Sequence, residues 1–236
     1  MPSFTPDKFL NFVDNYDKNN SKHKAAFLEL AGKITPSLLS DEANWVRVYR
    51  TQPAKAQTST LSVPFFPQTD NYTDADRTCN SSACAMCLEY FRPGTLKGAQ
   101  GDDAYIKKVF AIGDTTDHDV QTKVLSSYGV SSHFSYGLSF NDLNAEISAQ
   151  RPVVIGILHR GSLSAPTGGH MIVVTGITED KQSYICNDPF GSLMDGYTSD
   201  VYNGKGASYP KEVLKYRWCP NGNDGWGRIF DPKSKK

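Results

Sequence analysis

Net charge is the first thing this chain lacks: 25 Lys and Arg are balanced by 25 Asp and Glu. With no basic excess there is no long-range attraction to nucleic acid or to an anionic membrane, so neither is expected as a partner. Long hydrophobic runs are missing too. The most apolar stretches, Val153 to Leu158 and Met171 to Val174, are strand-sized, far short of the roughly 20 residues of a membrane-spanning helix. The opening MPSFTPDKFLNFVDNYDK has no basic stretch ahead of an apolar one, so it does not read as a Sec signal peptide, and unaided secretion is not expected. Cysteine is sparse and odd in number, five in all, which does not read as a secreted disulfide framework; reduced thiols are expected.

What remains is a foldable composition, 39% hydrophobic with twelve Tyr, twelve Phe and three Trp in 236 residues. That supports one large domain, or a compact domain with a small appendage, and excludes a disordered chain. Residues 1–50 read as a helical module. Thr5 caps and Pro6 starts a first helix carrying Phe9, Phe12, Val13 and Tyr16. Ser21 opens a second with Phe27, Leu28, Leu30 and Ile34, and Ser40-Asp41-Glu42 precede a third with Trp45, Val46, Val48 and Tyr49. Residues 51–60, TQPAKAQTST, carry no large apolar side chain and read as a linker, leaving 61–236 as the main domain.

Within that domain, VPFFPQ suits an edge or entry strand. A polar loop then leads to CNSSACAMCLEYF, a helix with Ala83, Met86, Cys87, Tyr90 and Phe91 at helical spacing and Thr78 as its N-cap. Further helices are expected near 102–111, 117–128 and 140–149, the last capped by Ser139 or Asn141. Segments 152–159, 170–177 and 182–188 are rich in β-branched residues, the last two joined by the polar turn TEDK. Helices first and strands later argue for an α+β fold.

The placement of Cys79 has chemical meaning. A thiol in the first turn of a helix feels the positive end of the helix dipole, which favours the thiolate. A nucleophilic thiolate also needs a base, and the base a group to orient it. If TEDK is the turn, His170 and Asp188 stand directly opposite one another on antiparallel strands, with Cβ atoms about 4.5–5.5 Å apart. A slip of one residue would move them to different faces.

VPFFPQTDNYTDADRTCNSSACAMCLEYF, GGHMIVVTGI and YICNDPFG together resemble, in the same order, the C39-like peptidase domain of the papain-like cysteine peptidase superfamily. The resemblance spans roughly residues 61–190 and leaves the rest unassigned. It implies a papain-like fold, a central nucleophile helix packed on an antiparallel sheet. It also implies Cys79 as nucleophile, His170 as general base and acid, Asp188 as the group orienting it, and Gln68 as oxyanion donor beside the Cys79 backbone N–H. Ten residues separate Gln68 from Cys79, more than in many papain-like enzymes. The segment KITPSLLSDEANWVRVYR resembles a module found ahead of lysis-type catalytic domains in cyanobacteria and their phages.

Taken singly, each of these residues has an ordinary explanation. A lone Cys packs as a small hydrophobe, a lone His is usually structural, and Asp before Pro is a common turn. Only the joint pattern supports chemistry. Cys84 and Cys87 form Cys-x-x-Cys, but Cys87 lies on the buried stripe, and Cys186 and Cys219 supply no second paired spacing, so zinc is not expected. Asp70, Asp74 and Asp76 lack the spacing of a calcium loop and read as solvated. His159 is expected at the surface, Tyr216, Trp218, Trp226 and Phe230 in core closure, and the KSKK tail in solvent.

The expectation is therefore a cysteine peptidase or amidase that needs no metal or organic cofactor. Its expected substrate is a peptide, most of all the peptide of peptidoglycan as in a phage-type lysin, acting from the cytoplasm or a virion. Processing of a leader peptide or another protein is one rival. A catalytically inert papain-like binding or virion module is the other.

Overall fold

The computed structural model describes residues 59–232. The helical module expected over 1–50 and the KSKK tail lie outside them. Residues 59 and 60, expected in the linker, instead form β1 (Ser59–Thr60), which pairs with a longer strand further along the chain. The VPFFPQ segment is not a strand. Pro64 and Pro67 remove backbone donors from it, and it runs irregularly into a short 3-10 turn at Gln68–Asp70.

Three helices follow: α1 (Cys79–Phe91), α2 (Asp102–Phe110) and α3 (His118–Ser127). Then come β2 (Ser132–Leu138), α4 (Phe140–Ser148), β3 (Val153–Arg160), β4 (Thr167–Ile177) and β5 (Ser183–Asn187). The chain closes with β6 (Ala207–Pro210), α5 (Lys211–Arg217) and β7 (Gly225–Phe230). The sheet runs β2-β7-β3-β4-β5-β6, antiparallel throughout, with β1 also on β4. The sequence pattern finds β3, β4 and β5 but not β2, β6, β7 or α5. The three later elements lie in the region the resemblance left unassigned.

Local chemistry sets the helix ends. Asp117 caps α3 by accepting from the Asp119 and Val120 N–H groups at 2.8 and 3.2 Å. Ser139 and Asp142 form a reciprocal capping box at α4, which settles the choice between Ser139 and Asn141. Thr78 precedes α1 but does not cap it. Its hydroxyl turns back to donate to the Ala75 carbonyl at 3.2 Å and accepts from Asn71 Nδ2 at 2.8 Å. The first amides of α1 are thereby left without a side-chain cap.

Helix α1 lies between the sheet, chiefly β4 and β3, and helices α2 and α3. It is buried on nearly all sides, polar first turns included. Burial of those groups is tolerated because each finds a partner. Ser81 Oγ meets Thr115 Oγ1 at 2.6 Å, Asn80 Nδ2 donates to the Thr115 carbonyl at 3.3 Å, and Ser82 Oγ donates to Asp102 Oδ2 at 2.6 Å. A buried guanidinium, Arg228, ties β7 to α3 through Thr122 Oγ1 at 2.8 Å and the His118 carbonyl at 2.6 Å. Trp218 and Phe230 close the core as expected, whereas Tyr216 is 47% exposed, because it lies on the outer side of α5. Trp226 lies flat over β3, where a Cβ at Gly156 would come within 2.1 Å of its ring.

Asp102 is fully buried, and its second oxygen, Oδ1, has no hydrogen-bond partner. Burial pushes its carboxyl up to about 7, against the Ser82 hydrogen bond that lowers it. The unfolded chain gives up this proton near pH 4 while the folded chain keeps it, so stability contributed here falls as pH rises from about 4 to about 7. Asp102→Asn is therefore expected to flatten that decline and to raise stability at pH 8 by on the order of 2–4 kcal/mol. Thermal unfolding of both proteins from pH 4 to 8 checks this; parallel curves would contradict it.

Candidate active site

Cys79 stands at the first position of α1 and is partly buried. The backbone N–H groups of Asn80 and Met171 and the His170 ring lie within hydrogen-bonding reach of its sulfur. Burial would raise the thiol pKa; the hydrogen bond and charge of His170, joined by the two amides, outweigh it and leave the value below that of a free cysteine. The other four cysteines are buried. Burial pushes Cys84, Cys87 and Cys186 upward, as expected of thiols packed as hydrophobes.

His170 is on β4 and 4% exposed. Its Nε2 meets Asp188 Oδ1 at 2.6 Å, leaving Nδ1 for the sulfur. Burial alone would lower the imidazole pKa; the Asp188 charge and hydrogen bond, with Cys79 adding to them, push it up to about 10 instead. The two shifts have opposite sign, and together they favour a thiolate beside an imidazolium.

His170 and Asp188 meet, but not by direct opposition. The loop between β4 and β5 takes in Gln182 as well as TEDK, with the Thr178 N–H donating to the Ser183 carbonyl and Lys181 in the left-handed region at φ 56°. Farther along, Val173 pairs with Asn187 and Val174 with Cys186, after a bulge at Thr175. Continuing that ladder sets Ile172, not His170, opposite Asp188. His170 is the diagonal neighbour, two residues on and on the same face, within reach of long side chains. Asp188 itself lies just past the end of β5.

Asp188 is fully buried and richly held. Oδ1 accepts from the Phe190 N–H at 2.9 Å as well as from His170, and Oδ2 accepts from the Tyr209 hydroxyl at 2.5 Å. Its backbone N–H donates to the Gly204 carbonyl at 2.9 Å. That approach requires glycine, since a Cβ at Gly204 would lie 2.2 Å from the Asp188 carbonyl oxygen. Asp188→Asn keeps an oxygen to accept from Nε2 but removes the charge that favours the imidazolium. We expect a 10- to 100-fold lower kcat/KM, smaller than the loss from removing the thiol, measured by steady-state peptide hydrolysis. An unchanged rate would mean that another group orients His170.

Gln68, 1% exposed, sits against the same corner. Its backbone N–H donates to the Pro189 carbonyl at 2.8 Å, and its Nε2 donates to the Ala75 carbonyl at 2.7 Å, the same carbonyl that Thr78 contacts. The ten-residue spacer is thus a loop folded back on the start of α1. Nε2 carries a second N–H beyond the one given to Ala75.

Sequence reasoning missed the aromatic surround of His170. The rings of His159, Phe190 and Tyr197 lie 5.1, 6.2 and 6.2 Å from its centroid. Such walls thin out water and strengthen the imidazole–carboxylate interaction. His159, expected at the surface, is half-buried, and burial with the neighbouring His170 and Arg160 charges pushes it down to about 4. It stays neutral where His170 is charged. Phe190 follows the Asp-Pro pair in sequence and was findable there. Tyr197 and Tyr209 had no signal beyond being aromatic. Among the described residues, no group of three metal-ligating side chains could hold an ion.

An α+β fold with a central helix on an antiparallel sheet, its first residue a thiol facing an imidazole, defines a papain-like cysteine peptidase. The chain belongs to the Peptidase_C39 like family, whose model matches residues 60–223. No curated protein matches it. Among solved structures it is similar to a C39-like peptidase from Bacillus anthracis, at 17% identity over 73% of this chain and 98% of that one, with a TM-score of 0.49. It is also similar to a double-glycine-motif protease of an AMS/PCAT transporter, solved with its leader peptide: 16% identity over 72% of this chain and 92% of that one, TM-score 0.45.

Proposed function

We propose that the peptidase reaction runs through Cys79, His170, Asp188 and Gln68. The observation that carries this reading is the 2.6 Å contact of His170 Nε2 with buried Asp188, on an imidazole whose other side reaches the Cys79 sulfur. The thiolate attacks the amide carbonyl carbon, forming a C–S bond and an oxyanion. The Cys79 N–H and the spare Gln68 N–H receive that oxyanion, each such donor commonly being worth about 10²- to 10³-fold in rate. Collapse breaks the C–N bond, and the His170 imidazolium gives its proton to the leaving amine. Water then attacks the thioester, giving its proton to His170; the C–S bond breaks, releasing the acid and restoring the thiolate beside the imidazolium.

For the substrate, the resemblance of residues 33–50 to a module ahead of lysis-type domains favours the peptide of peptidoglycan. We place residues 1–50 as a separate module serving that target, joined by a connector to the catalytic domain. The test is digestion of purified peptidoglycan by the full chain, with released fragments read by mass spectrometry, beside a synthetic double-glycine leader peptide. Muropeptides cut at a defined peptide bond support the reading. Cleavage of the leader peptide alone moves the enzyme to leader processing, and cleavage of neither, with Cys79 slow to alkylate, favours the inert module.

A further inference from the structure

We propose that Tyr209 is a fourth member of the Cys79–His170–Asp188 chain: a positioning residue whose hydroxyl fixes the Asp188 carboxylate and moderates its charge on His170. The proposal rests on the catalytic reading above. Tyr209 lies on β6, remote in sequence from the other members and fully buried. Its ladder partner on β5 is Tyr184, and Ala207 two residues earlier pairs with Cys186. Antiparallel pairing thus sets Tyr209 farther than Ala207 from the Asp188 end of β5, and it is the long phenol side chain whose hydroxyl reaches back to Asp188 Oδ2.

The direction of the hydrogen bond follows from what else touches the phenol oxygen. The Leu193 N–H donates to it at 3.1 Å, which occupies its acceptor side. Its single proton is then committed to Asp188 Oδ2, 2.5 Å away. The Asp188 oxygens divide their work accordingly. Oδ1 serves His170 and the Phe190 amide, and Oδ2 has Tyr209 as its partner. A hydrogen bond to a carboxylate stabilises its charge and draws density from the opposite oxygen. So held, Asp188 grips the imidazolium less tightly than a buried carboxylate without the Tyr209 hydrogen bond would. His170 must release its proton to the leaving amine, so this moderation acts on the chemical step. Among the described residues, the other ionisable groups around the cluster are His159, Tyr197, Cys186 and Arg217, with Arg160 beside His159 and Tyr197. His159 is neutral, and burial holds Tyr197 and Cys186 well above their usual ranges, which leaves the two arginines as the cationic neighbours.

The test uses the full chain with two changes of opposite sign. Tyr209→Phe removes the donor; 3-fluorotyrosine at position 209 alone keeps the shape and makes it a stronger one. Alkylation of Cys79 by iodoacetamide, followed against pH by peptide mass spectrometry, needs no known substrate and reports both ionisations of the thiol–imidazole pair. The upper ionisation, that of His170, is expected to move up by at least half a unit in Tyr209→Phe and down with fluorotyrosine. On a cleaved peptide, kcat should fall about tenfold in Tyr209→Phe with little change in KM, and the loss should largely vanish in an Asp188→Asn background. Shifts of the same sign, no shift, or losses that simply multiply would overturn the role of Tyr209 while leaving the catalytic reading intact. A wild-type Cys79 that ionises like a free thiol would overturn the catalytic reading itself. Should Tyr209→Phe not fold, the fluorotyrosine shift alone decides.

Discussion

Cys79→Ala is expected to abolish peptide hydrolysis, a fall of at least about 10⁴-fold in kcat, while thermal stability changes little. In the proposed reaction the sulfur forms the covalent bond to substrate, and loss of a nucleophile in comparable hydrolases costs about 10⁶-fold. The structural cost is small. Cys79 is partly buried at the edge of the core, and alanine suits the first turn of a helix. Activity assays and thermal unfolding of the same preparation check the two halves. Turnover persisting at a tenth of the wild-type rate would exclude Cys79 as the nucleophile.

His170→Ala is expected to come close to the same loss in kcat/KM, but by another route. Without the imidazolium, burial is left to dominate at Cys79, and the thiol pKa should climb from below the free value to above it. In the proposed reaction the same substitution also removes the proton donor for the leaving amine. It therefore strips nucleophile activation and general acid together, a fall of about 10⁴-fold or more. Two measurements separate the effects: steady-state hydrolysis, and the pH dependence of Cys79 alkylation. A variant that still alkylates rapidly at neutral pH would mean that the Asn80 and Met171 amides alone sustain the thiolate.

The pair also couples to folding. A histidine whose pKa is raised in the folded state contributes stability that is complete below its unfolded value near 6.5 and is lost as pH rises through about 10. A cysteine with a lowered value contributes stability present above its unfolded value and lost as pH falls through the folded one. Each charge stabilises the other, so the thiolate–imidazolium pair persists from the lowered Cys79 value up to about pH 10.

Much of this was legible in the sequence because it is local. Helix α1 announces itself by apolar spacing, α3 and α4 by their caps, and β3 to β5 by β-branched runs; each depends on residues a few positions apart. Cys79 could be placed at a helix start for the same reason. Register was less accessible. The hairpin pairs Ile177 with Tyr184, three positions out of the expected register, and the bulge at Thr175 takes one back, which sets Ile172 in the place opposite Asp188 that His170 was expected to hold. The contact survived because the displacement was even, which keeps both side chains on one face. What the sequence hid was non-local: Tyr209 reaches Asp188 only through the pairing of β6 with β5, and His159 is brought beside His170 only by the β3–β4 ladder, which sets Ile157 against His170. Thr78 misled in another way. It is a good capping residue in the right place, but Asn71 and Ala75 compete for its hydroxyl.

The most direct measurement is the rate of iodoacetamide labelling at each of the five cysteines of the unmodified chain between pH 4 and 10. Cys79 is expected to react far ahead of the other four at neutral pH, with a midpoint below that of a free cysteine. Labelling of Cys79 that keeps pace with the buried thiols, rising only as the pH nears 9, would contradict it.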